Sequence, residues 1–258
     1  MSRYKLTLEY EGTRYSGWQM QKGGKSIQGE ILDACRELFE SDAVDVYGAG
    51  RTDGGVHALN QVAHLEVNTD LPLIRIKYGI NDRLPPDISI INVEQADDHF
   101  HARHDAVARS YIYQISRRRT AFGKKFVWWI KDDLSAEQMN KAVKHFTGLK
   151  DYKNFTDPKQ EQGSTKTEVM HAKVNEYGDL LVFHVVGSHF LWKQVRRMTG
   201  VIVEVGRGTI SPDEVLSFFK GTSDTPAKLT APPSGLFLEK VYYQKKDIVF
   251  ETKPVIHL

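Results

Sequence analysis

An arginine and an aspartate two positions apart, Arg51 and Asp53, lie in a segment that has four glycines between positions 48 and 55. Glycine permits positive φ and lets a ligand or a second backbone come close, so we predict a tightly shaped loop here. A loop that only turned the chain would need neither charged side chain. A carboxylate can act as nucleophile or base, and a nearby guanidinium keeps it ionised. Arg51 and Asp53 are therefore candidates for chemistry, and a structural ion pair is the alternative.

The glycine spacing must be compared with that of a dinucleotide-binding loop. Gly48 and Gly50 follow a short apolar segment, but the third glycine, Gly54, comes one position late for that fingerprint. The fingerprint also needs a helix directly after the loop. Residues 61–67 instead alternate apolar and polar side chains, which is typical of a strand. This pattern disfavours a dehydrogenase-like or phosphate-loop enzyme.

The elements around the loop are predicted from hydrophobic periodicity and turn residues. In the first half they are a strand at 4–10, a helix starting near Ser26, a short strand at 44–46, a strand at 62–67, a helix at 73–82 and a strand from 88 to 91. This β-α-β-β-α-β order is that of a ferredoxin-like unit. In the second half they are strands at 107–115 and 126–130, a helix after Ser135 closed by Gly148, a mobile polar loop at 151–167, a hairpin of 169–174 and 180–186, helices at 191–205 and 212–219, and a strand at 236–243.

The second half repeats the first loosely. We therefore predict an α+β fold of two tandem ferredoxin-like (RRM-like) halves with mostly antiparallel sheets, as domains 1–103 and 104–258. Ligand sites favour clefts between such units, so we expect the active-site cleft to lie between the halves.

The segment Gly50–Ala58 resembles the signature A-G-R-T-D-A-G-V-H of the TruA-type tRNA pseudouridine synthases. Further motifs that resemble this family occur in family order: Gly17-Trp18-Gln19 with Ser26-Ile27-Gln28, Phe100-His101-Ala102-Arg103 with Ala108–Tyr113, Phe190-Leu191 with Val195–Gly200 and Glu204-Val205-Gly206, and Gly235–Leu238. Two positions depart from the pattern. Gly54 replaces an alanine, which should leave the chemistry unchanged, and Lys166 stands where an arginine is common, which loses the fork that grips phosphate.

The resemblance implies isomerisation of uridine to pseudouridine on the 3′ side of the tRNA anticodon stem-loop, the tRNA pseudouridine(38–40) synthase activity, without a cofactor. It implies that Asp53 is the catalytic carboxylate, attacking C1′ or C6 of a base that is flipped out of its stack. Arg51 would fill the vacated space, Arg196 would pair with the aspartate, Tyr111 would stack on the flipped uracil and Leu236 would line its pocket. The alternatives to these family roles are a phosphate contact or a surface charge for Arg196 and core packing for Tyr111 and Leu236.

Composition sets further bounds. Thirty-five basic and 33 acidic residues give a net charge of only +2, which argues against a nonspecific polycation but allows basic patches, such as residues 117–119. The single cysteine, Cys35, excludes an intramolecular disulfide, and no signal peptide or membrane-length apolar run is seen. We therefore expect a soluble, cytoplasmic protein, with no membrane partner. The family resemblance implies a homodimer.

Two alternatives concern the histidines and the aromatic residues. His99, His101 and His104 could indicate zinc, but no second cysteine or close histidine pair completes a tetrahedral set, so we expect no metal. A noncatalytic RNA-binding protein with RRM-like sheets would use exposed aromatics to stack bases. Asp53 argues against a noncatalytic RNA-binding protein, because a carboxylate that faces the RNA backbone repels phosphate.

Overall fold

In the computed structural model, residues 2–161 and 163–258 are described, so Met1 and Gln162, the latter in the predicted 151–167 loop, lie outside the description. The chain forms two compact units. The first contains the residues up to Val107 together with Leu238–Gln244, and the second contains Ala108–Phe237 and Lys245–Leu258. The division into domains 1–103 and 104–258 stays a prediction. No helix in the described ranges is both long and apolar enough to cross a bilayer.

The first unit has the predicted β-α-β-β-α-β order. Its elements are β1 (Ser2–Tyr10), α1 (Ile27–Phe39), β2 (Asp45–Gly48), β3 (His57–Val67), α2 (Leu73–Asn81) and β4 (Ile88–Gln95), with a 3₁₀ turn at Gly12–Arg14. The sheet order is β4-β1-β3, and β2 pairs with β3; all these pairings are antiparallel.

The sequence explains these elements locally. Tyr4, Leu6 and Leu8 alternate with more exposed polar residues along β1, and their side chains are almost completely buried. The Ser26 hydroxyl caps α1 by accepting a hydrogen bond from the Gly29 backbone N–H at 3.2 Å. Ile31 of α1 is fully buried, so the apolar face of the helix belongs to the core of the first unit.

The second unit is also mixed α and β. Its elements are β5 (Ala108–Ser116), β6 (Trp128–Trp129), α3 (Ala136–Val143), β7 (Gly148–Asp151), β8 (Lys166–Tyr177), β9 (Leu180–Gly187), α4 (Gln194–Arg207), α5 (Thr225–Lys228) and β10 (Leu236–Tyr242). Strand β10 continues into the first unit. The 3₁₀ helices are at Lys144–Phe146, Lys153–Phe155, Pro158–Gln160, Pro212–Phe219, Pro233–Gly235 and Lys245–Asp247. Strands β5, β9, β8 and β7 are neighbours in that order and pair antiparallel, whereas β6 pairs parallel with β5. The mixed α+β class with mostly antiparallel strands is as predicted.

Parts of the second unit differ from the prediction. The predicted strand at 126–130 is reduced to Trp128–Trp129, and the described part of segment 151–167, predicted as a polar loop, contains 3₁₀ helices at Lys153–Phe155 and Pro158–Gln160. Tyr152 and Phe155 are completely buried and pack edge to face, with ring centroids 5.6 Å apart. The Asn154 amide donates to the carbonyl oxygen of Phe218 at 2.9 Å. Two aromatic side chains thus anchor the segment, and the polar composition around them concealed this.

Candidate active site

Asp53 lies in the loop between β2 and β3. The loop is an extension of that hairpin, because the Ala49 N–H donates to the carbonyl oxygen of Val62 at 2.7 Å. After Asp53 the chain turns: the Val56 N–H donates to the Asp53 carbonyl oxygen at 3.1 Å, and Gly55 has a φ of +81°. The Asp53 side chain is half-buried and that of Arg51 is exposed. The loop therefore presents both charged groups while its backbone is bound at each end.

A second backbone segment, Gly17-Trp18, lies against this loop. Gly17 and Asp53 form an isolated antiparallel bridge, and the Trp18 N–H donates to the Thr52 carbonyl oxygen at 3.1 Å. Gly17 has a φ of +108°, and a Cβ atom there would lie 2.5 Å from the Thr52 carbonyl oxygen. Only glycine fits, so the motif at 17–19 and the motif at 50–58 act as one structural feature.

Buried polar side chains support the loop from below. The Gln61 Nε2 donates to the Gly50 carbonyl oxygen at 3.0 Å and to the Tyr10 hydroxyl at 3.4 Å. The Tyr10 hydroxyl lies 2.9 Å from the Thr52 Oγ1. Gln61 is completely buried, and sequence reasoning missed it. Its signal was a glutamine at an inward position of a buried strand, where an unpaired amide would be costly.

His57 is structural. Its side chain is only 1 % exposed, and its Nδ1 accepts a hydrogen bond from the Gly12 N–H at 3.0 Å. A Cβ atom on Gly12 would clash with the Val56 carbonyl oxygen. His57 thus fastens the 3₁₀ turn at Gly12–Arg14 to the end of the Asp53 loop. Within residues 2–161 and 163–258, no group of three or more His, Cys, Asp or Glu side chains is placed to hold a metal ion.

A surface cleft of about 240 Å³ opens beside Arg51 in the first unit. We call it the Arg51 cleft; Trp18, Tyr47, Arg51, His101, Arg103 and His104 are among the residues that line it. The Arg51 side chain is exposed and lines this cleft, so its guanidinium is accessible to a ligand. The structural Arg51–Asp53 pair considered from the sequence stays an alternative.

The second unit carries Tyr111, Arg196 and Leu236. Tyr111, on β5, is 8 % exposed and packs edge to face on Phe190, with centroids 5.2 Å apart. Arg196, in the first turn of α4, is half-buried, and its Nε donates to the Ala231 carbonyl oxygen at 2.8 Å. Leu236 begins β10 and is 5 % exposed. The structure thus places Arg51 and Asp53 in one loop of the first unit and these three residues in the second.

Tyr113, on β5, supports the segment that Arg196 contacts. Its hydroxyl donates to the Pro232 carbonyl oxygen at 2.7 Å, next to the carbonyl that Arg196 binds. Burial raises the pKa of this phenol well above its usual value, and the Arg196 charge opposes that shift. Tyr113 and Arg196 together hold the segment that leads into Leu236. Tyr113 is completely buried, so it does not stack on RNA bases.

The family profile and the named relatives that match this chain point to one protein family. The sequence profile of the family described as tRNA pseudouridine synthase matches residues 7–105 and 142–244. A protein named tRNA pseudouridine synthase A from Exiguobacterium is 37 % identical over 247 residues, covering 96 % of this chain and 100 % of that protein. The protein of that name from Rhodopseudomonas palustris is 39 % identical, covering 95 % of this chain and 100 % of that protein. The protein named tRNA pseudouridine synthase A 2 from Clostridium perfringens is 36 % identical, covering 94 % of this chain and 100 % of that protein. The chain belongs to the tRNA pseudouridine synthase family, whose enzymes isomerise uridine to pseudouridine in tRNA.

Proposed function

We propose that this tRNA pseudouridine synthase acts on uridines of the anticodon stem-loop and that Asp53 is its nucleophile. The observation that carries the proposal is the clamp on Asp53: its backbone is bridged to Gly17 while its carboxylate stays half-exposed. A nucleophile must be held within a fraction of an ångström of its productive position, and a loop bound on two sides favours this.

The chemistry needs no cofactor because the product is an isomer of the substrate. The N1–C1′ bond breaks, the uracil rotates while it is still held, and C5 bonds to C1′. Attack by the Asp53 carboxylate at C1′ or at C6 gives a covalent adduct that retains one fragment during the rotation. If Asp53 attacks C1′, the new C5–C1′ bond displaces the carboxylate; if it attacks C6, the carboxylate leaves C6 when C5 loses its proton. In both cases N1 gains a proton, and the proton on C5 leaves to a base. Tyr111 is our candidate for the residue that stacks on the uracil and accepts that proton.

The target base must leave its stack before Asp53 can reach it. Arg51 suits the role of occupying the vacated space, because its guanidinium is exposed and lies two residues from Asp53. A planar guanidinium can stack on the neighbouring bases and bind phosphate through its five donors.

The remaining roles are assigned by chemistry. Arg196 pairs with the Asp53 carboxylate, and Leu236 supplies an apolar wall for the uracil. This assignment requires residues of both units to act on the same nucleotide. It fits the predicted fold of two ferredoxin-like halves, 1–103 and 104–258, with the active-site cleft between them. We also propose that the chain works as a homodimer, since the long, rigid tRNA offers more surface than one such chain can contact.

The test is Asp53→Asn, with tRNA affinity and pseudouridine formation measured on the same preparation. The amide keeps the shape but is not a nucleophile, so we expect tRNA binding near that of the unsubstituted chain and no turnover. Asp45→Asn, an exposed acid on β2, is the matched control and should keep full activity. If Asp53→Asn turned over within about tenfold of the rate of the unsubstituted chain, Asp53 would be excluded as the nucleophile.

A noncatalytic RNA-binding protein is the competing function, and the same experiment separates the two. In a pure binder Asp53 only repels phosphate, so Asp53→Asn would strengthen RNA binding and no pseudouridine would form with any variant. Mapping pseudouridines in tRNA after incubation with the unsubstituted chain identifies the target positions.

A further inference from the structure

We propose that the Arg51 cleft binds the nucleotide next to the target uridine in the tRNA. The proposal rests on the proposed function, because it places the target uridine at Asp53. None of the residues assigned to the uracil itself is among those that line the cleft, and apart from Arg51 none of its lining residues has a role in the proposed chemistry. Four observations support a nucleotide there.

The first is distance along the chain. Two residues of extended backbone span at most about 7 Å, which is the scale of one nucleotide. Arg51 and Asp53 are two residues apart and so lie within this span, and both side chains belong to the same supported loop. A nucleotide that the Asp53 carboxylate attacks therefore has its neighbour within reach of Arg51 and of the cleft that Arg51 lines.

The second is the set of donors. The Nδ1 of His101 accepts hydrogen bonds from the backbone N–H groups of Arg103 and His104, at 3.1 and 3.3 Å. An imidazole that accepts at Nδ1 in its neutral form carries its proton on Nε2, so His101 offers a donor. With the exposed guanidinium groups of Arg51 and Arg103, the cleft has donors of the kind that bind a phosphodiester.

The third is an aromatic platform. Tyr47 lines the cleft and is 44 % exposed. One face of its ring stacks on His64, with centroids 5.0 Å apart and an angle of 24°, so the ring orientation is set by a buried neighbour. Proteins bind unpaired bases by stacking them on such rings, next to cations that hold the backbone. Tyr47 and Arg103 reproduce that combination.

The fourth is size. Sites for drug-sized ligands and cofactors usually measure about 300–1,000 Å³. A cleft of about 240 Å³ is smaller than this range, so it suits part of a single nucleotide and not a dinucleotide cofactor. The chemical class of the ligand is thus an unstacked ribonucleotide that remains joined to the rest of the tRNA.

The experiment uses the full chain with Asp53→Asn, which prevents turnover, and measures the Kd for three anticodon stem-loop RNAs. One RNA is intact, and the others have an abasic residue on the 5′ or the 3′ side of the target uridine. Loss of one stacked base typically weakens binding about 5- to 160-fold. We expect Tyr47→Ala to show such a loss with the intact RNA and less than about a threefold loss with one of the two abasic RNAs, because the partner of the ring is already missing. Tyr47→Phe, which keeps the ring, should bind like its parent.

The matched control for Tyr47→Ala is Tyr78→Ala, because Tyr78 is another exposed tyrosine, on α2 and outside the residues that line the cleft. For the phosphate contact, Arg103→Ala should reduce the slope of log Kd against log salt by about 0.7–0.9, whereas Arg75→Ala, on α2, should not. A loss for Tyr47→Ala that is equal on all three RNAs, no loss at all, or an unchanged salt slope for Arg103→Ala would overturn the proposal. Failure of the proposed function is observed differently: the unsubstituted chain would then form no pseudouridine in tRNA.

Discussion

Gly17 and Asp53 face each other across a single antiparallel bridge, so the residue that performs the proposed chemistry depends on a glycine 36 positions earlier in the chain. The Gly17 backbone has a φ of +108°, and the space where its side chain would stand is occupied by the Thr52 carbonyl. The same bridge fixes the Asp53 backbone on one side of the loop.

Substitution of this glycine should therefore damage both stability and catalysis. For Gly17→Ala we expect a loss of about 2 kcal/mol or more in the free energy of unfolding, from the positive φ and the clash with backbone, and a fall in kcat. Gly54→Ala is the control: its Cβ atom would lie 3.3 Å from the Tyr15 carbonyl oxygen, and its φ is not in the left-handed region. Gly54→Ala should keep stability and turnover nearly unchanged. Denaturant unfolding and turnover on tRNA measure both, and equal effects at the two positions would contradict this account of the loop.

Arg51→Ala and Arg196→Ala should fail in different ways. Arg51 is assigned to base flipping, so an abasic or mismatched target, which is easier to extrude, should restore part of the lost tRNA affinity. Arg196 is assigned to the Asp53 carboxylate, so its loss should reduce turnover while tRNA affinity changes little. Arg196 also binds the Ala231 carbonyl, so the unfolding of Arg196→Ala must be measured alongside. Equal losses of affinity with equally reduced salt slopes would make both residues plain phosphate contacts.

Tyr111 can act by stacking alone or also as a base. Stacking is worth roughly 1–3 kcal/mol per base, and Tyr111→Phe keeps the ring that supplies it. General base catalysis contributes on the order of 10²–10⁴ in rate, and Tyr111→Phe removes that group. We expect Tyr111→Phe to lose nearly as much turnover as Tyr111→Ala while still binding tRNA, with slow release of label from C5 of the target uridine. Normal rates for both variants would make Tyr111 a packing residue beside Phe190.

His64 should make the stability of the protein depend on pH. Burial lowers the pKa of this imidazole from 6.5 to about 4, and the nearby His101 and Arg3 add to that effect against an opposing contribution from Asp105. Its Nδ1 accepts a hydrogen bond from the Ala102 N–H at 3.1 Å, which requires the neutral ring. Glu66 lies 3.6 Å from His64 Nε2 and would favour the cation, but Arg3 already pairs with that carboxylate.

The sign of the effect follows from proton binding. Between pH 6.5 and about 4 the unfolded chain binds a proton at His64 that the folded chain does not, so the free energy of unfolding falls as the pH is lowered through this window. The full effect of this residue is up to about 3 kcal/mol. His64→Gln keeps an acceptor and cannot titrate, so it should flatten the curve, whereas His257→Gln, an exposed histidine, should not. Unfolding measured from pH 4 to 7 tests this, and an unchanged slope in His64→Gln would contradict it.

Much of the fold and part of the site could be predicted from the amino-acid sequence because their signals are local. Alternation along β1, the Ser26 cap and the glycine content of the Asp53 loop each depend on neighbouring residues, and the structure confirms the element order of the first unit. The family was identified in the same way, since its motifs are short and occur in order. The roles of Asp53, Arg196 and Leu236 stay predictions that the experiments above address.

The tertiary structure decided which distant residues support and surround that loop. The hydrogen bond between Gln61 and Tyr10 joins positions 51 residues apart, and the Arg51 cleft combines residues from positions 18, 47, 51, 101, 103 and 104. Periodicity reports only which side of an element is buried, so it does not give the partner that a buried polar group must find elsewhere in the chain. The same limit explains segment 151–167, where Tyr152 and Phe155 are buried by neighbours that the local polar composition does not indicate. Burial and hydrogen bonding of these side chains are properties of the folded chain, and only the folded chain shows them.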